Sequence, residues 1–388
     1  MIRLGINLID LKKNYRGGIN SFALGLLQSL ERKKILLNIY TNKDSKIFLK
    51  KIFSKSNITI INNSKLIYLI LQFFCIIFGD KKKFVNLENA YYKKIKEKIE
   101  QSCDVFYCPL SYLKPFNLKI PTVSSIHDLQ HLHYPDNFNF LQYKYRNFAF
   151  EETIKKSTVI QASSLFIKKD IKKFYPNTKN KIEVIHEGVS SLFKFKKTKS
   201  IKKNYIFFPA QLWKHKNHIV VFKAIKILKE KYNLNIKLIL VGQKFSYSKN
   251  IFNFINNNKN LDIEYLGKVK FKKLIKLYTN CKFLISPAIY ESSSIPILEA
   301  CKIGRPIICS NTGPNKELGL KLKLNFFETN NPRNLSIVIK KLWNKDVYIN
   351  KQIDFNKRAI GHYDWNNVSN YYQQLFERLN NKSKKTTL

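Results

Sequence analysis

The chain has 388 residues and carries 70 Lys and Arg against 26 Asp and Glu, which gives a formal net charge of +44. This length is enough for two domains with separate cores, and the charge favours anionic partners such as phosphorylated small molecules, anionic lipid or nucleic acid. Six cysteines without a C-x-x-C pair argue against a disulfide framework or a thiolate metal site. No N-terminal secretory signal is recognisable, so the expected location is the cytosol.

The first unusual element is an apolar run from Leu66 to Phe78, flanked by Lys65 and by Lys81–Lys83. Crossing a bilayer needs ~20 apolar residues, and this run is too short for that. Two interpretations remain open. The run forms a buried core helix, or it lies half embedded in the cytoplasmic leaflet with the lysines on the lipid head groups.

Short β-branched runs alternate with helical patterns along most of the chain, which is typical of parallel sheets covered by helices. Strands are predicted at Ile2–Leu8, Leu36–Tyr40, Val105–Cys108, Thr122–Ile126, Thr158–Ala162, Ile182–Ile185, Tyr205–Pro209, Lys237–Val241, Ile263–Leu266, Phe283–Ser286 and Pro306–Cys309. The predicted fold class is therefore α/β, with two open, doubly wound domains and a cleft between them.

A polar, lysine-rich stretch marks the boundary between the two domains. The predicted organisation is an N-terminal domain at 1–190, a linker at 191–204, a second domain at 205–364, a C-terminal helix at 365–379 that packs back on the core, and a disordered tail at 380–388. Ligands of doubly wound sheets bind beyond the carboxyl ends of the strands, so the loops at those ends are the places to search.

After the first strand, Gly17 and Gly18 lead into a helix predicted at Ser21–Leu30. Paired glycines let the backbone approach a bound anion closely. The full G-x-G-x-x-G pattern is absent, so an ordinary helix start is an equal alternative to an anion site.

After the fourth strand come His127, Asp128, His131 and His133. Imidazole and carboxylate groups are zinc ligands, but this spacing matches no helical zinc signature. The favoured interpretation is a polar cluster that binds substrate or backbone, with His127, the first residue past the strand, in direct contact with the substrate.

The second domain opens with a strand that runs through Gln211 into a helix. Lys216 lies near the start of that helix, where its ammonium would be able to neutralise a diphosphate leaving group. A solvated surface charge is the alternative for this one lysine among many.

Two acidic residues, Glu291 and Glu299, lie eight positions apart and are joined by Ser292–Ser294, Ile295 and Pro296. Pro296 suits the first position of a helix, whose free N–H groups can hold an anion. Carboxylates beside an anion site are better suited to accept hydrogen bonds from hydroxyl groups on either side of it. A sugar nucleotide has this layout, and His127 is the residue predicted to contact its reacting sugar. An ordinary loop-to-helix junction remains the alternative.

Together these residues resemble the group 1 (family 4) retaining glycosyltransferases, which have the GT-B fold of two facing Rossmann-like domains. The resemblance rests on Gly17-Gly18, His127-Asp128, the segment from Pro209 to Asn217, Val241-Gly242, Leu266-Gly267 and the E-x7-E pair followed by Gly304-Arg305-Pro306.

The resemblance implies a role for each of these positions. Glu299 would hold the ribose hydroxyls of the donor, Glu291 those of the transferred sugar, and the backbone at Ser294 and Ile295 would lie near the phosphates. Lys216 would balance the leaving diphosphate, with His127 and the Gly17-Gly18 loop contributing from the first domain. Gln211 occupies the place where relatives often carry arginine, so one positive charge near the diphosphate is missing. No metal or other cofactor is expected.

The expected function is transfer of a hexose from a nucleotide diphosphate sugar to a lipid-linked or surface-polysaccharide acceptor of the O-antigen or capsule type. GDP-mannose is the first choice of donor because the resemblance is greatest to mannosyl- or rhamnosyl-transferring relatives. The charge and the apolar run suggest peripheral contact with an anionic membrane, at the cytoplasmic face of the plasma membrane. The alternatives are a GT-B epimerase or hydrolase and a non-enzymatic nucleic-acid-binding protein. Nucleic acid is not an expected partner, since interleaved basic and aromatic motifs are lacking.

Overall fold

A computed structural model describes residues 1–11, 18–61, 65–178, 181–190 and 204–386. Within it the chain divides into two compact units. The first contains residues 1–188 and the segment from Trp365 onward, and the second contains Val189–Asp364. Most of the predicted linker, 191–203, lies outside the described residues.

The first unit is built on a seven-stranded parallel sheet with the strand order β3-β2-β1-β4-β5-β6-β7. Its strands are β1 (Ile2–Leu8), β2 (Ile35–Thr41), β3 (Asn57–Ile60), β4 (Val105–Cys108), β5 (Thr122–Ile126), β6 (Val159–Ala162) and β7 (Lys181–Val184). Its helices up to this point are α1 (Gly18–Leu30), α2 (Lys43–Ile52), α3 (Lys65–Ile77), α4 (Lys81–Tyr91), α5 (Lys93–Ser102), α6 (Gln130–His133), α7 (Phe140–Lys156) and α8 (Leu165–Phe174). The order reverses between β1 and β4, which makes their carboxyl ends the switch point of this sheet.

The second unit is built on a six-stranded parallel sheet with the order β10-β9-β8-β11-β12-β13. Its strands are β8 (Tyr205–Pro209), β9 (Lys237–Val241), β10 (Ile263–Tyr265), β11 (Phe283–Ser286), β12 (Ile307–Ser310) and β13 (Asn325–Phe327). Its helices are α9 (His218–Tyr232), α10 (Ser248–Asn257), α11 (Phe271–Asn280), α12 (Ile295–Ile303), α13 (Gly313–Gly319), α14 (Pro332–Trp343) and α15 (Asp346–Ala359). The switch point lies between β8 and β11.

The last helix, α16 (Trp365–Thr386), belongs to the first unit and packs on α1. Its first residue, Trp365, leaves room only for glycine at positions 25 and 188. A Cβ added at Gly25 would lie 2.3 Å from the indole, and one added at Gly188 would lie 2.4 Å from it. The helix continues past Leu379, so the disorder predicted for residues 380–386 is wrong. Once packing of Tyr372, Phe376 and Leu379 has nucleated the helix, adding further exposed polar turns is favourable.

Helix α3 carries the apolar run and does not form a buried core helix. Eight large apolar side chains of the run are between 42% and 77% exposed, namely Leu66, Leu69, Ile70, Leu71, Phe73, Phe74, Ile77 and Phe78. These eight residues are called the α3 surface below. Among the described residues, no helix is both long and apolar enough to cross a membrane.

Candidate functional site

The loops after β8, β9 and β11 lie side by side at the carboxyl edge of the second sheet. The N–H of Ala210 donates to the carbonyl oxygen of Val241 over 2.9 Å, and the N–H of Ile289 donates to that of His215 over 2.9 Å. A Cβ at Gly242 would lie only 2.0 Å from the carbonyl oxygen of Ala210. Glycine is therefore required at this position for the first two loops to approach each other.

Lys216 and Glu291 meet across this edge. Their Nζ and Oε1 atoms are 2.5 Å apart, and the two side chains are 21% and 12% exposed. Lys216 ends a single 3-10 turn, and the next residue, Asn217, adopts φ 60° and donates from Nδ2 to the carbonyl oxygen of Pro287 over 3.2 Å. The backbone therefore positions the ammonium beside the carboxylate, and the alternative of a solvated surface lysine is wrong.

Helix α12 begins at Ile295, with Pro296 second, one residue earlier than predicted. Ser294 precedes it and is buried, and its Oγ lies 3.1 Å from that of Ser286. Its carbonyl oxygen accepts from the N–H of Ile297 over 2.9 Å. The first N–H groups of a helix have no intrahelical acceptor, so this end of α12 suits an anion.

Glu299 is the fifth residue of α12 and so starts its second turn. It accepts a hydrogen bond at Oε2 from the Tyr278 hydroxyl over 2.5 Å. Burial raises the pKa of Glu299 to about 7, against the opposing effect of the Tyr278 hydrogen bond. This carboxyl group therefore titrates near neutral pH.

Gln211 is engaged within its own loop. Its Oε1 accepts from the indole Nε1 of Trp213 over 2.9 Å, and that indole stacks on Phe245 at 3.9 Å between ring centroids. Gln211 therefore orders the loop after β8 in addition to any contact with a donor.

The predicted residues of the first unit have more enclosed surroundings. Gly17 lies outside the described residues, and Gly18 is the exposed first residue of α1. His127 is buried, with Nδ1 3.2 Å from Glu187 Oε1 and Nε2 2.8 Å from the carbonyl oxygen of Pro109. Direct contact between this imidazole and a sugar therefore requires one of these bonds to break.

The neighbouring polar residues each have separate contacts. Asp128 accepts from Arg146 over 2.7 Å, His131 stacks on Phe150, and His133 lies 2.7 Å from Asp170. Burial lowers the pKa of His131 to about 3, so its ring is neutral. Within the described part of the chain, no three His, Cys, Asp or Glu side chains form a group that could hold a metal ion.

Sequence reasoning missed two residues that contact the candidate site residues, Glu187 beside His127 and Tyr278 beside Glu299. Glu187 follows the end of β7, at the same sheet edge as His127, so its position past a strand end was a usable signal. Tyr278 lies inside α11 and had no such signal, because only tertiary packing brings it to Glu299.

Two protein-family models match the chain, one over each of its two parts. Residues 16–191 match the model of Glycosyltransferase Family 4, and residues 190–362 match that of Glycosyl transferases group 1. The chain belongs to the group 1 glycosyltransferases.

Two curated relatives of this chain are named as O-antigen mannosyltransferases. It is 29% identical over 188 residues to the O-antigen chain mannosyltransferase RfbU of Salmonella typhimurium, covering 48% of this chain and 51% of that one. It is 23% identical to the O-antigen chain mannosyltransferase B of Escherichia coli, covering 53% and 57%. The match thus spans little more than half the length of each relative.

Solved structures show that this chain has the GT-B fold. HepE of Anabaena in complex with UDP and glucose aligns with a TM-score of 0.71 and 15% identity, over 97% of this chain and 100% of that one. WaaG, a glycosyltransferase involved in lipopolysaccharide biosynthesis, aligns with a TM-score of 0.67 and 13% identity, over 96% and 99%.

Proposed function

We propose that this protein is a retaining hexosyltransferase that uses a nucleotide diphosphate sugar. The observation that carries the proposal is the carboxyl edge of the second sheet, where Lys216, Glu291 and the first turn of α12 lie on adjoining loops. This edge combines a cation and a helix N-terminus, which suit a diphosphate, with a carboxylate that can accept hydrogen bonds from sugar hydroxyls. A sugar nucleotide needs both kinds of group.

Each group has a proposed task. Glu299 accepts from the ribose hydroxyls and Glu291 from hydroxyls of the transferred sugar, while the backbone at Ser294 and Ile295 binds the diphosphate. In the reaction the bond from the anomeric carbon to the phosphate oxygen breaks, the acceptor hydroxyl oxygen bonds that carbon, and the hydroxyl proton passes to the departing diphosphate. Lys216 and the α12 terminus stabilise the negative charge that appears on the departing nucleoside diphosphate. His127 is proposed to act on the sugar from the first unit.

The proposed donor is GDP-mannose and the proposed acceptor is a lipid-linked or surface-polysaccharide glycan. The two O-antigen mannosyltransferase relatives support both choices. UDP- and dTDP-sugars are the competing donors, and the likeness to a structure that contains UDP makes the UDP-sugars essential members of the comparison. We place the enzyme at the cytoplasmic face of the plasma membrane, in peripheral contact with anionic lipid.

The deciding experiment measures hydrolysis and binding of a panel of nucleotide sugars by the full chain. We expect micromolar-range binding of one nucleotide diphosphate sugar, which Glu291→Ala weakens, and turnover that persists in EDTA because no metal is required. Equal, weak binding of every nucleotide sugar would overturn the proposal.

Two other functions predict different results when a lipid-linked glycan acceptor or nucleic acid is added to this assay. An epimerase or hydrolase would release free sugar without transfer to any lipid-linked glycan. A nucleic-acid-binding protein would bind RNA or DNA with a steep dependence on salt and would be insensitive to Glu291→Ala.

A further inference from the structure

The α3 surface is a continuous apolar face on the first unit that no described element covers. Its eight members occupy most positions of a 13-residue helix and the residue after it, with Phe78 77% and Leu66 70% exposed. Isolated exposed apolar residues are ordinary, but a contiguous set of this size marks an interaction surface.

The opposite side of α3 is held firmly, so its exposure does not come from a loosely attached helix. Tyr68 donates a hydrogen bond to the buried carboxyl group of Glu88 on α4. Gln72 Nε2 donates to the same carboxyl oxygen over 2.9 Å and lies 2.8 Å from the Tyr68 hydroxyl. Tyr68 also stacks on Tyr91 at 3.9 Å between centroids. This polar inner face fixes which side of α3 points outward.

An apolar cavity opens between α3 and α4. Its volume is about 340 Å³, roughly twice the ~150 Å³ that accommodates a benzene molecule. Its apolar lining comes from Leu71, Phe74, Cys75, Phe78 and Leu87, and Asp80 and Lys83 complete it. A long aliphatic chain fits this combination of an apolar lining and a charged margin.

Lysines lie next to this surface, at the start of α4. Lys81, Lys82 and Lys83 are all exposed; Lys81 pairs with Glu151, and Lys83 lies 3.3 Å from Asp80. The chain as a whole carries +44. Two copies of so basic a chain repel each other, whereas an anionic surface attracts it.

We infer that the α3 surface docks in the plane of an anionic phospholipid leaflet, with one acyl chain in the α3–α4 cavity and the α4 lysines on the head groups. An in-plane helix of this kind needs an apolar face sunk at the acyl boundary and basic groups beside it, and both are present.

Helices α3 and α4 are called the hairpin here, and their position gives this docking a role in the reaction. Lys114 lies within electrostatic range of Glu88, its Nζ is 3.1 Å from Asp10, and its carbonyl oxygen accepts from Asn7 over 2.9 Å. Asn7 and Asp10 mark the carboxyl end of β1, so the hairpin borders the ligand-binding edge of the first sheet. Resting on the proposed function, the inference makes a membrane-anchored acceptor the substrate that reaches this edge.

The test is flotation of the full chain with vesicles of phosphatidylcholine alone or mixed with phosphatidylglycerol. We expect binding to the anionic vesicles, at least about tenfold weaker partitioning for Phe78→Asp combined with Leu66→Asp, and roughly fivefold weaker partitioning for Lys82→Gln. Leu320→Asp is the matched control, because Leu320 is 82% exposed but lies in the second unit. It should float like the wild type, and circular dichroism confirms that each variant is folded.

Equal flotation of the wild type and the folded double variant would overturn the inference. So would a wild-type dimer that the double variant converts to monomer without any vesicle binding, because the surface would then join two copies. Failure of the proposed function is separable: hydrolysis of the donor in solution does not need the vesicles and should be unchanged in the double variant.

Discussion

At the carboxyl edge of the second sheet, Lys216 and Glu291 reach each other from different loops and remain partly exposed. At the corresponding edge of the first sheet, His127 is buried and both its ring nitrogens contact protein groups. The second edge therefore presents charge that a ligand can use directly, whereas the first has its polar groups satisfied internally. The comparison predicts that substitutions at the second edge reduce catalysis with little effect on folding, and that His127 substitutions act first on stability.

The largest effect is expected from Glu291→Gln. Loss of the carboxylate removes the proposed acceptor for the sugar hydroxyls and the partner that positions Lys216, so turnover should fall by roughly 10²–10³-fold. Steady-state kinetics with the donor found in the panel provide the measurement. The free energy of unfolding, obtained from thermal denaturation, should change by less than about 1 kcal/mol.

A double-variant cycle sharpens this prediction. If Lys216 and Glu291 act as a unit, the fold reduction in turnover of the Lys216→Met, Glu291→Gln double variant should be much smaller than the product of the two single-variant reductions. Full turnover in Glu291→Gln would show that the pair is only structural.

His127→Phe should have its main effect on stability. The phenyl ring can keep the edge contact with Phe22, but Glu187 loses its partner and stays buried, so the free energy of unfolding should fall by about 3 kcal/mol. Burial alone would lower the pKa of His127, but the hydrogen bond and charge of Glu187 outweigh it and raise that pKa.

The sign of the pH dependence follows from this raised pKa. The His127–Glu187 contribution should be complete below pH 6.5 and disappear as the pH rises through the higher pKa of the folded state. The wild type should lose its stability advantage over His127→Phe across that interval, as measured by urea unfolding at several pH values. A constant difference would contradict a protonated His127.

Gly242→Ala tests whether the second edge depends on close backbone contact. The new Cβ would clash with the carbonyl oxygen of Ala210, a backbone atom that cannot move aside as a flexible side chain could. The free energy of unfolding of the second unit should therefore fall by roughly 2–3 kcal/mol. Gly361→Ala is the control, since a Cβ there has no neighbour within 4 Å. Similar unfolding midpoints for both variants would mean that the loops separate at little cost.

The same contrast explains how far the sequence could be interpreted. Central strands such as Val105–Cys108 and Phe283–Ser286 are buried apolar runs and were predicted to the residue. The edge strands β3 and β13 were missed, because each is short and pairs on one side only. The loop positions of Lys216 and Glu291 follow from strand order, so their proximity was predictable. The enclosure of His127 by Glu187 depends on side-chain packing, which no local pattern encodes.

Of the substitutions expected to change the free energy of unfolding, Glu299→Gln should have the smallest effect on it, and the pH dependence of that free energy distinguishes it from the other variants. Since the pKa of Glu299 rises from 4.5 to about 7 on folding, the unfolded chain releases this proton between those values while the folded chain keeps it. The free energy of unfolding therefore falls as the pH rises through this window. Because Glu299 is half-buried, the loss should be smaller than the full shift implies, roughly 1–2 kcal/mol. Glu299→Gln should be as stable as the wild type near pH 4 and more stable at pH 8.

Hydrogen exchange of α12 amides at several pH values measures this locally, so the first unit does not obscure the result. Tyr278→Phe removes a hydrogen bond that lowers the pKa of Glu299, so it should move the window to higher pH. If Glu299 also binds ribose hydroxyls as a carboxylate, donor affinity should fall below about pH 7 in the wild type, and in Glu299→Gln it should be weaker but constant. Parallel pH profiles for wild type and Glu299→Gln would mean that this carboxyl group does not titrate at neutral pH, and burial would then not raise its pKa into this range.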